Sequence, residues 1–272
     1  MARRAHALRA WPVFGARIRR PARLLVLCDL DGTILPLQRS PELATAGPRE
    51  RAVLRAVHRA PGVRLGLISG RSLRSLRRAV GVPGLICVGN HGLEFGQRGR
   101  DWVVPDAKQS VPAITRLGKE LASEVRAVPG AFVERKGYSL SVHWRGVAPG
   151  SVRRFHRLVR RVLDPWRRRG IVRVSLGKRV IEARPPIAWD KGSAVAWLLD
   201  RHKYRNGEVL YLGDDRTDED AFQVVNCWRG LSVSVGPPSR RTAARWRLDG
   251  PEQVLAMLTR VAEDRWNSRQ PR

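Results

Sequence analysis

The chain has 272 residues, a hydrophobic content of 43% and a formal net charge of +28 at pH 7. This length suits one full domain with a smaller second one, and no apolar run approaches the roughly 20 residues that a membrane helix needs. The three cysteines are far apart and form no CxxC pair, which argues against a zinc site or a disulfide framework and favours a reducing cytoplasm.

The charge is carried almost entirely by arginine. Of 52 basic residues only six are lysine, and the arginines are spread along the whole chain. A G+C-rich coding sequence produces this skew, because most arginine codons are G+C-rich and lysine codons are not. The charge also predicts attraction to polyanions, but no zinc-finger spacing or RNA-binding motif accompanies it. We therefore expect nucleic acid only as a weak, nonspecific electrostatic partner.

Residues 1–22 are predicted to form a basic N-terminal arm that is frayed or loosely docked. The arm is a poor secretory signal, because it has no continuous apolar core. Strands and helices then alternate over residues 23–104. The segments, in chain order, are the strand RLLVLCDL, the helix PRERAVLRAVHRA, the strand VRLGLISGR, the helix SLRSLRRAVG closed by Gly81, and the strand GLICVGNHG. This alternation predicts right-handed βαβ units and a doubly wound, Rossmann-like parallel sheet.

The middle of the chain has a different pattern. A helix over about 110–127 precedes GAFVERKGYSLSVHWR, which alternates on both sides of Lys136-Gly137 as a β-hairpin does. A second helix over about 150–166 precedes a short hairpin around Gly177-Lys178. We therefore predict an inserted α+β cap domain over 105–183. The first pattern resumes over 184–272, with the helix DKGSAVAWLLDRH, the strand EVLYLGDD, the helix TDEDAFQVVN, the strand LSVSVG and the amphipathic helix PEQVLAMLTRVAEDR.

Four polar clusters follow strands or open helices at one predicted edge of the sheet. They are Asp29/Asp31/Thr33, Ser69/Arg71, Lys191 and Asp214/Asp215/Asp218. In open α/β sheets, ligands bind at the carboxyl ends of the strands. Aspartates packed closely there would repel each other unless a cation balanced them. Because no histidine or cysteine belongs to these clusters, the oxygen ligands favour Mg²⁺.

The remaining polar groups predict an anion site. Ser69, with backbone amides at a helix N-terminus, suits a phosphate, and Lys191 offers a point charge. Singly, they would be interpreted as a helix cap and a surface lysine. Together with two carboxylates and a metal ion they predict phosphoryl transfer. One carboxylate could attack phosphorus and a second could transfer protons. The residue types alone leave the assignment of Asp29 and Asp31 open.

Four segments, DLDGT, LISGR, DKG and GDDRTDEDAF, resemble in sequence and order the signature motifs of the haloacid-dehalogenase-like phosphatases. The resemblance covers roughly residues 23–104 and 184–265. It implies that Asp29 is the nucleophile and Asp31 the general acid/base. The metal ligands it implies are Asp29, the backbone carbonyl of Asp31 and Asp214, with supporting carboxylates from Asp215 and Asp218. It further implies that Ser69 and Lys191 hold the phosphate and that Thr33 orients Asp31.

Within that superfamily the chain is most similar to the trehalose-6-phosphate phosphatases. The similarity rests on GNHGLE (89–94), ERKGYSLSVHWR (134–145) and VIEARPPIAWDKGSAVAWLL, with small departures at Leu30 and Trp144. It implies a Mg²⁺-dependent, cytoplasmic hydrolase of trehalose 6-phosphate that uses an aspartyl-phosphate intermediate, and it makes trehalose-6-phosphate synthase a candidate functional partner. The implied substrate contacts are Arg71, Asn90 and His91 in the core, and Glu134, Lys136 and Glu182 in the cap.

Two other functions compete with this one. A related phosphatase acting on sucrose phosphate or a mannosyl-phosphoglycerate would share the core motifs and a similar cap. A polyanion-binding protein would use the fold as a scaffold and would explain the charge, but such a scaffold has no need of intact catalytic positions. No membrane partner is expected.

Overall fold

A computed structural model describes residues 4–38, 41–177, 179–237 and 241–268. Its strands β1 to β13 are Ala5–His6, Leu24–Cys28, Val63–Ile68, Ile86–Gly89, Glu94–Gln97, Arg100–Val103, Phe132–Arg135, Leu140–His143, Arg173–Gly177, Val180–Arg184, Val209–Gly213, Leu231–Val235 and Trp246–Leu248. Its helices α1 to α9 are Trp11–Arg19, Pro48–Arg59, Leu73–Val80, Pro105–Gln109, Val111–Val125, Val152–Arg168, Lys191–Arg201, Glu219–Cys227 and Pro251–Asn267. Within these residues, no helix is both long and apolar enough to cross a membrane.

The chain divides into two compact units. The core unit comprises Met1–Trp102 and Trp189–Arg272, and the inserted unit comprises Val103–Ala188. The cap expected from the sequence, residues 105–183, lies inside the second of these. The exact limits of the functional domains, 23–104 with 184–272 for catalysis and 105–183 for the cap, stay predictions.

The sheet of the core unit has the strand order β1-β13-β12-β11-β2-β3-β4-β5-β6. Strands β12, β11, β2, β3 and β4 run parallel, and β5 returns antiparallel to β4. All five residues of β2 are buried. Leu24 and Val26 contact one apolar cluster, whereas Leu25 and Leu27 contact another. A continuous apolar run is typical of a parallel strand covered on both faces, and the predicted doubly wound α/β fold is confirmed.

The strand order places four polar residues next to each other. Strands β11, β2, β3 and β4 are consecutive neighbours in the sheet. Asp214, Asp29, Ser69 and Asn90 directly follow them in the sequence. Because parallel strands end at the same edge, these residues line one edge of the core sheet.

The N-terminal segment differs from the expectation of a frayed arm. Strand β1 pairs in parallel with β13, and Phe14 and Ile18 of α1 are fully buried in the core. Trp11, Phe14 and Ile18 recur at helical spacing, which gives α1 an apolar face despite its arginines. The prediction was therefore wrong for residues 4–22, while residues 1–3 lie outside the described part of the chain.

The inserted unit contains a four-stranded antiparallel sheet, in the order β7-β8-β10-β9, packed against α5 and α6. The first predicted hairpin is confirmed: Arg135 pairs with Leu140, and the amide of Lys136 donates to the carbonyl of Ser139 at 2.9 Å. The second hairpin is also present, with Gly177 paired to Val180. Its predicted turn residue Lys178 lies outside the described residues.

Candidate active site

Asp29 and Lys191 form a buried ion pair at the carboxyl end of β2. The Lys191 Nζ lies 3.0 Å from Asp29 Oδ1 and 2.7 Å from Asp218 Oδ1. Burial raises the pKa of Asp29, Lys191 opposes this, and the neighbouring carboxylates of Asp218, Asp214 and Asp31 raise it further. Burial alone would lower the pKa of Lys191, but Asp218 and Asp29 outweigh it and raise that pKa. Lys191 is therefore a fixed cation rather than a surface lysine.

Lys191 is held in place by the start of α7. Asp190 caps this helix, because its carboxylate accepts from the amide of Ser193 at 2.8 Å. A Cβ at Gly192 would lie 2.7 Å from the backbone oxygen of Asp220. The glycine of the DKG segment thus lets α7 approach α8 closely enough to bury the preceding lysine.

Asp218 is the centre of a buried hydrogen-bond network. Its Oδ1 accepts from Lys191 Nζ and from the Tyr211 hydroxyl, each at 2.7 Å, and its Oδ2 accepts from the amide of Asp215 at 2.9 Å. Asp218 and Tyr211 are both fully buried. Both oxygens of Asp218 are thus engaged by protein donors. Tyr211 was missed at the sequence level, although a tyrosine inside a fully apolar strand signals that its hydroxyl needs a partner.

Three carboxylates form the candidate cation site. Asp29, Asp214 and Asp218 each offer an oxygen atom within 4.8 Å of the others, and all three are buried. Thr33 Oγ1 donates to Asp214 Oδ1 at 3.3 Å. A Cβ at Gly32, which has a φ of +92°, would lie 2.3 Å from Asp214 Oδ2. The all-oxygen donor set and the excess of negative charge fit a hard divalent cation.

Asp31 and Arg71 form a bidentate pair. Arg71 Nε donates to Asp31 Oδ2 at 2.7 Å and Nη2 donates to Oδ1 at 2.6 Å. Nη2 also donates to the carbonyl of Ala44 at 3.0 Å, and Arg71 is buried. The guanidinium that the sequence assigned to the substrate thus contacts the second aspartate of DLDGT.

The loop from Ser69 to Leu73 is held by the GNHGLE segment. The amide of His91 donates to the carbonyl of Ser69 at 3.0 Å, and the amide of Asn90 donates to the carbonyl of Arg71 at 2.6 Å. Glu94 Oε2 accepts from the amide of Leu73 at 2.8 Å and from Asn90 Nδ2 at 2.5 Å. Burial raises the pKa of Glu94, and these two hydrogen bonds act against it. Glu94, given no role at the sequence level, therefore fixes the turn that opens α3.

The predicted cap residues cluster within the inserted unit. Lys136 Nζ lies 3.4 Å from Glu182 Oε1 and 4.0 Å from Glu134 Oε2. Ser141 Oγ donates to Glu182 at 3.4 Å. Ser141 pairs with Glu134 on one side and with Glu182 on the other. Glu134, Ser141 and Glu182 therefore lie in one row across β7, β8 and β10. His143 Nε2 lies 2.9 Å from Glu134 Oε2 at the end of this row.

Comparison with known sequences shows the family. The sequence profile described as "Trehalose-phosphatase" matches residues 27–252, most of the chain. The chain belongs to the trehalose-phosphatase family. The trehalose-phosphate phosphatase of Mycobacterium tuberculosis is 34% identical over 257 residues, which cover 91% of this chain and 63% of that protein. A probable trehalose-phosphate phosphatase of rice is 32% identical over 251 residues, covering 90% and 67%.

The chain spans only part of the length of several relatives. It covers 18% of an uncharacterized glycosyl hydrolase of M. tuberculosis, to which it is 36% identical over 264 residues. Among solved structures, the C-terminal domain of the Candida albicans trehalose-6-phosphate phosphatase matches with a TM-score of 0.83 at 25% identity, covering 96% of this chain and 99% of that one. A trehalose-6-phosphate phosphatase related protein, with a TM-score of 0.75 at 21% identity, shows the same fold.

The residues predicted for the site fall into two groups. The first is linked by the contacts described above in the core unit and consists of Asp29, Asp31, Thr33, Ser69, Arg71, Asn90, His91, Lys191, Asp214, Asp215 and Asp218. The second lies in the inserted unit and consists of Glu134, Lys136 and Glu182. Asp215 contributes its backbone amide to Asp218, and its own carboxylate accepts from the amide of Arg216 at 2.7 Å. The roles assigned to all these residues stay predictions.

Proposed function

We propose that this protein is a Mg²⁺-dependent phosphatase that hydrolyses trehalose 6-phosphate to trehalose and inorganic phosphate. The observation that carries the proposal is the buried Asp29–Lys191–Asp218 array, with a second carboxylate, Asp31, two residues after Asp29. Membership of the trehalose-phosphatase family and the names of the relatives support the substrate.

Asp29 and Asp214 would hold the metal ion by their carboxylates and Asp31 by its backbone carbonyl. Asp218 and Asp215 would support this site, because Asp218 already accepts three hydrogen bonds from the protein. When bound, the ion supplies positive charge that allows the carboxylates and the phosphoryl oxygens to lie together.

The reaction would proceed in two steps. Asp29 attacks phosphorus, the bond between phosphorus and the sugar oxygen breaks, and Asp31 protonates that oxygen so that the sugar leaves with a free hydroxyl. Asp31 then takes a proton from water, whose oxygen attacks the aspartyl-phosphate and releases inorganic phosphate and the Asp29 carboxylate. Lys191 and Ser69 would stabilise the phosphoryl oxygens. Arg71 would orient the carboxylate of Asp31 through its two parallel hydrogen bonds.

The inserted unit would select the sugar. Glu134 and Glu182 offer charged acceptors in one cross-strand row, and Lys136 offers a charged donor within 4.0 Å of both. Sites built from such groups strongly reject analogues that lack a hydroxyl. We propose that residues 105–183 are the substrate-selecting cap and that residues 23–104 and 184–272 are the catalytic core.

A panel of sugar phosphates tests the substrate. Purified protein with Mg²⁺ should release phosphate from trehalose 6-phosphate far faster than from sucrose 6-phosphate, a mannosyl-phosphoglycerate or glucose 6-phosphate, and chelation should abolish the release. A preference for another member of the panel would overturn the substrate while keeping the phosphatase. Asp29→Asn should be inactive, whereas Asp101→Asn, at an exposed ion pair with Arg77, should retain turnover.

The surroundings of the cysteines support a reducing cytoplasm. Cys28 and Cys87 are buried, Cys227 is exposed, and none of the three forms a disulfide. Burial raises the pKa of Cys87 to about 11, so the thiol is protonated and unreactive. We further propose trehalose-6-phosphate synthase as the functional partner, because the proposed reaction consumes the phosphorylated disaccharide that such an enzyme makes.

A further inference from the structure

Helix α6 presents an arginine-rich face in the inserted unit. Seven of its 17 residues are arginine and one, Asp164, is acidic. The arginines, all exposed, are Arg153, Arg154, Arg157, Arg160, Arg161, Arg167 and Arg168. The exposed Arg169 follows directly after the helix. None of these residues takes part in the proposed catalytic or sugar-binding groups.

Few of these charges are balanced within the protein. Arg161 lies 2.5 Å from Glu124, and Arg167 lies 3.6 Å from Asp164. Within the described ranges, the other six have no carboxylate at ion-pair distance. The rest of the chain is also rich in arginine, but here the unbalanced guanidinium groups are concentrated on a single element.

The arginine face follows one side of α6, which contains a proline, Pro165, in its last turn. Arg153, Arg157 and Arg160 follow the i, i+4, i+7 spacing of one helical side, and at 1.5 Å per residue the arginines from 153 to 168 extend over roughly 22 Å. The opposite side carries Phe155, Val159 and Leu163, which are buried in the inserted unit's own core. Because that apolar side is already packed, α6 cannot insert it into a lipid bilayer as an interfacial helix does.

We propose that the arginine face of α6 binds the phosphate backbone of double-stranded nucleic acid. A duplex carries one negative charge per about 1.7 Å of its axis, so guanidinium groups that follow one side of a helix meet several phosphates at once. Arginine, unlike lysine, binds phosphate through a planar fork of donors. Backbone contacts carry no sequence information, so the binding is independent of base sequence and strongly dependent on salt.

The test is a salt titration of the full chain on a labelled duplex of about 20 base pairs, followed by fluorescence anisotropy between about 50 and 200 mM salt. The variant R153Q/R157Q/R160Q/R168Q removes four unbalanced charges and keeps residues that favour helix. Each lost phosphate contact reduces the slope of log K against log salt by about 0.9, so the loss of four contacts should reduce the slope by about 3.6. Affinity at the lowest salt should fall more than tenfold, with phosphatase turnover unchanged.

The matched control removes the same charge from the core unit. R55Q/R59Q/R74Q/R78Q changes four exposed arginines of α2 and α3 and should leave the slope within about 1 of the wild-type value. Equal effects of the two variants would show that overall charge, not α6, binds DNA. If the α6 variant loses binding to phosphatidylserine vesicles while its DNA binding is unchanged, the arginine face would be assigned to membranes instead. Circular dichroism shows whether the fourfold variant is folded. If it is not, the double variants R153Q/R157Q and R160Q/R168Q should each show about half of the expected reduction in slope.

Discussion

Arg71 holds Asp31 by two parallel hydrogen bonds of 2.7 and 2.6 Å, and the same guanidinium is anchored on the carbonyl of Ala44. This arrangement fixes the plane of the carboxylate that is proposed to transfer protons. Because α3 begins two residues later, the loop that follows β3 sets the position of a group that follows β2. The two loops are therefore one functional element.

Arg71→Lys should lower kcat by about 10²-fold or more, within the range for misplacing a general acid or base. Lysine keeps the charge but cannot form the fork. KM for trehalose 6-phosphate should change much less, because the loss falls on a proton transfer. Arg78→Lys, at an exposed position of the helix α3 that follows Arg71, is the control. A large rise in KM with kcat preserved would instead make Arg71 a substrate ligand.

Tyr211→Phe should reduce turnover by about tenfold. The variant removes one of three donors to Asp218, so the carboxylate that holds Lys191 becomes less constrained. The net loss of one buried hydrogen bond costs about 1 kcal/mol of stability, which denaturant unfolding can measure. Tyr204→Phe removes a hydroxyl from the same core unit, at a position before β11 rather than at its carboxyl end, and should keep the wild-type rate. An unchanged rate in Tyr211→Phe would show that Asp218 needs only Lys191 and the Asp215 amide.

Gly32→Ala should abolish Mg²⁺-dependent activity. Its Cβ would lie 2.3 Å from Asp214 Oδ2, at a φ of +92°, so the methyl group would displace a proposed metal ligand. Gly99→Ala is a matched control, because Gly99 has a φ of +78° and nothing within 4 Å of its Cβ. The control should show only the cost of a left-handed residue, about 1 kcal/mol. Equal loss of activity in both variants would attribute the effect to backbone strain alone.

The sequence predicted the parts of the fold that depend on continuous patterns. The run LLVLC and the helices with regular apolar spacing have one stable arrangement, because each must bury its apolar surface. The meeting of polar residues at one edge of the sheet followed from the same argument, since residues that end parallel strands lie at the same edge. The segment around Phe14 was misjudged because its charge hid an apolar side of only three residues.

Other features depend on contacts between distant segments, which composition and spacing do not encode. Nothing in the sequence places Tyr211 on Asp218, or turns Arg71 toward Asp31 rather than toward a phosphate. The row formed by Glu134, Ser141 and Glu182 requires the register of three strands, and a shift of one residue would reverse every side chain.

Lowering the pH should destabilise the protein through His202. Arg64 Nη1 lies 2.9 Å from His202 Nδ1. Because the guanidinium can only donate, His202 Nδ1 accepts this hydrogen bond only while it carries no proton. Burial lowers the pKa of His202, and Arg64, Arg201 and Arg23 lower it further. The unfolded state, with a pKa of about 6.5, binds more protons, so stability falls as the pH drops below that value. His202→Asn should show a smaller loss of stability between about pH 7 and 5 in urea unfolding; an identical loss would assign the effect to other groups.

Arg265 should contribute more to stability than any exposed arginine of the chain. It is buried, and its guanidinium donates to the carbonyls of Ile18, Pro21 and Ala22 at 3.1, 2.6 and 2.8 Å and to that of Pro61 at 3.0 Å. Arg265→Met would leave these buried and partly buried carbonyl oxygens without this donor, at a cost of about 2–4 kcal/mol. The midpoint of urea unfolding should fall accordingly, whereas Arg205→Met at an exposed position should leave it within about 0.5 kcal/mol. Proteolysis of Arg265→Met should also begin within residues 4–22, because these hydrogen bonds join α9 to the end of α1. Cleavage elsewhere, with the N-terminal segment intact, would contradict this role for Arg265.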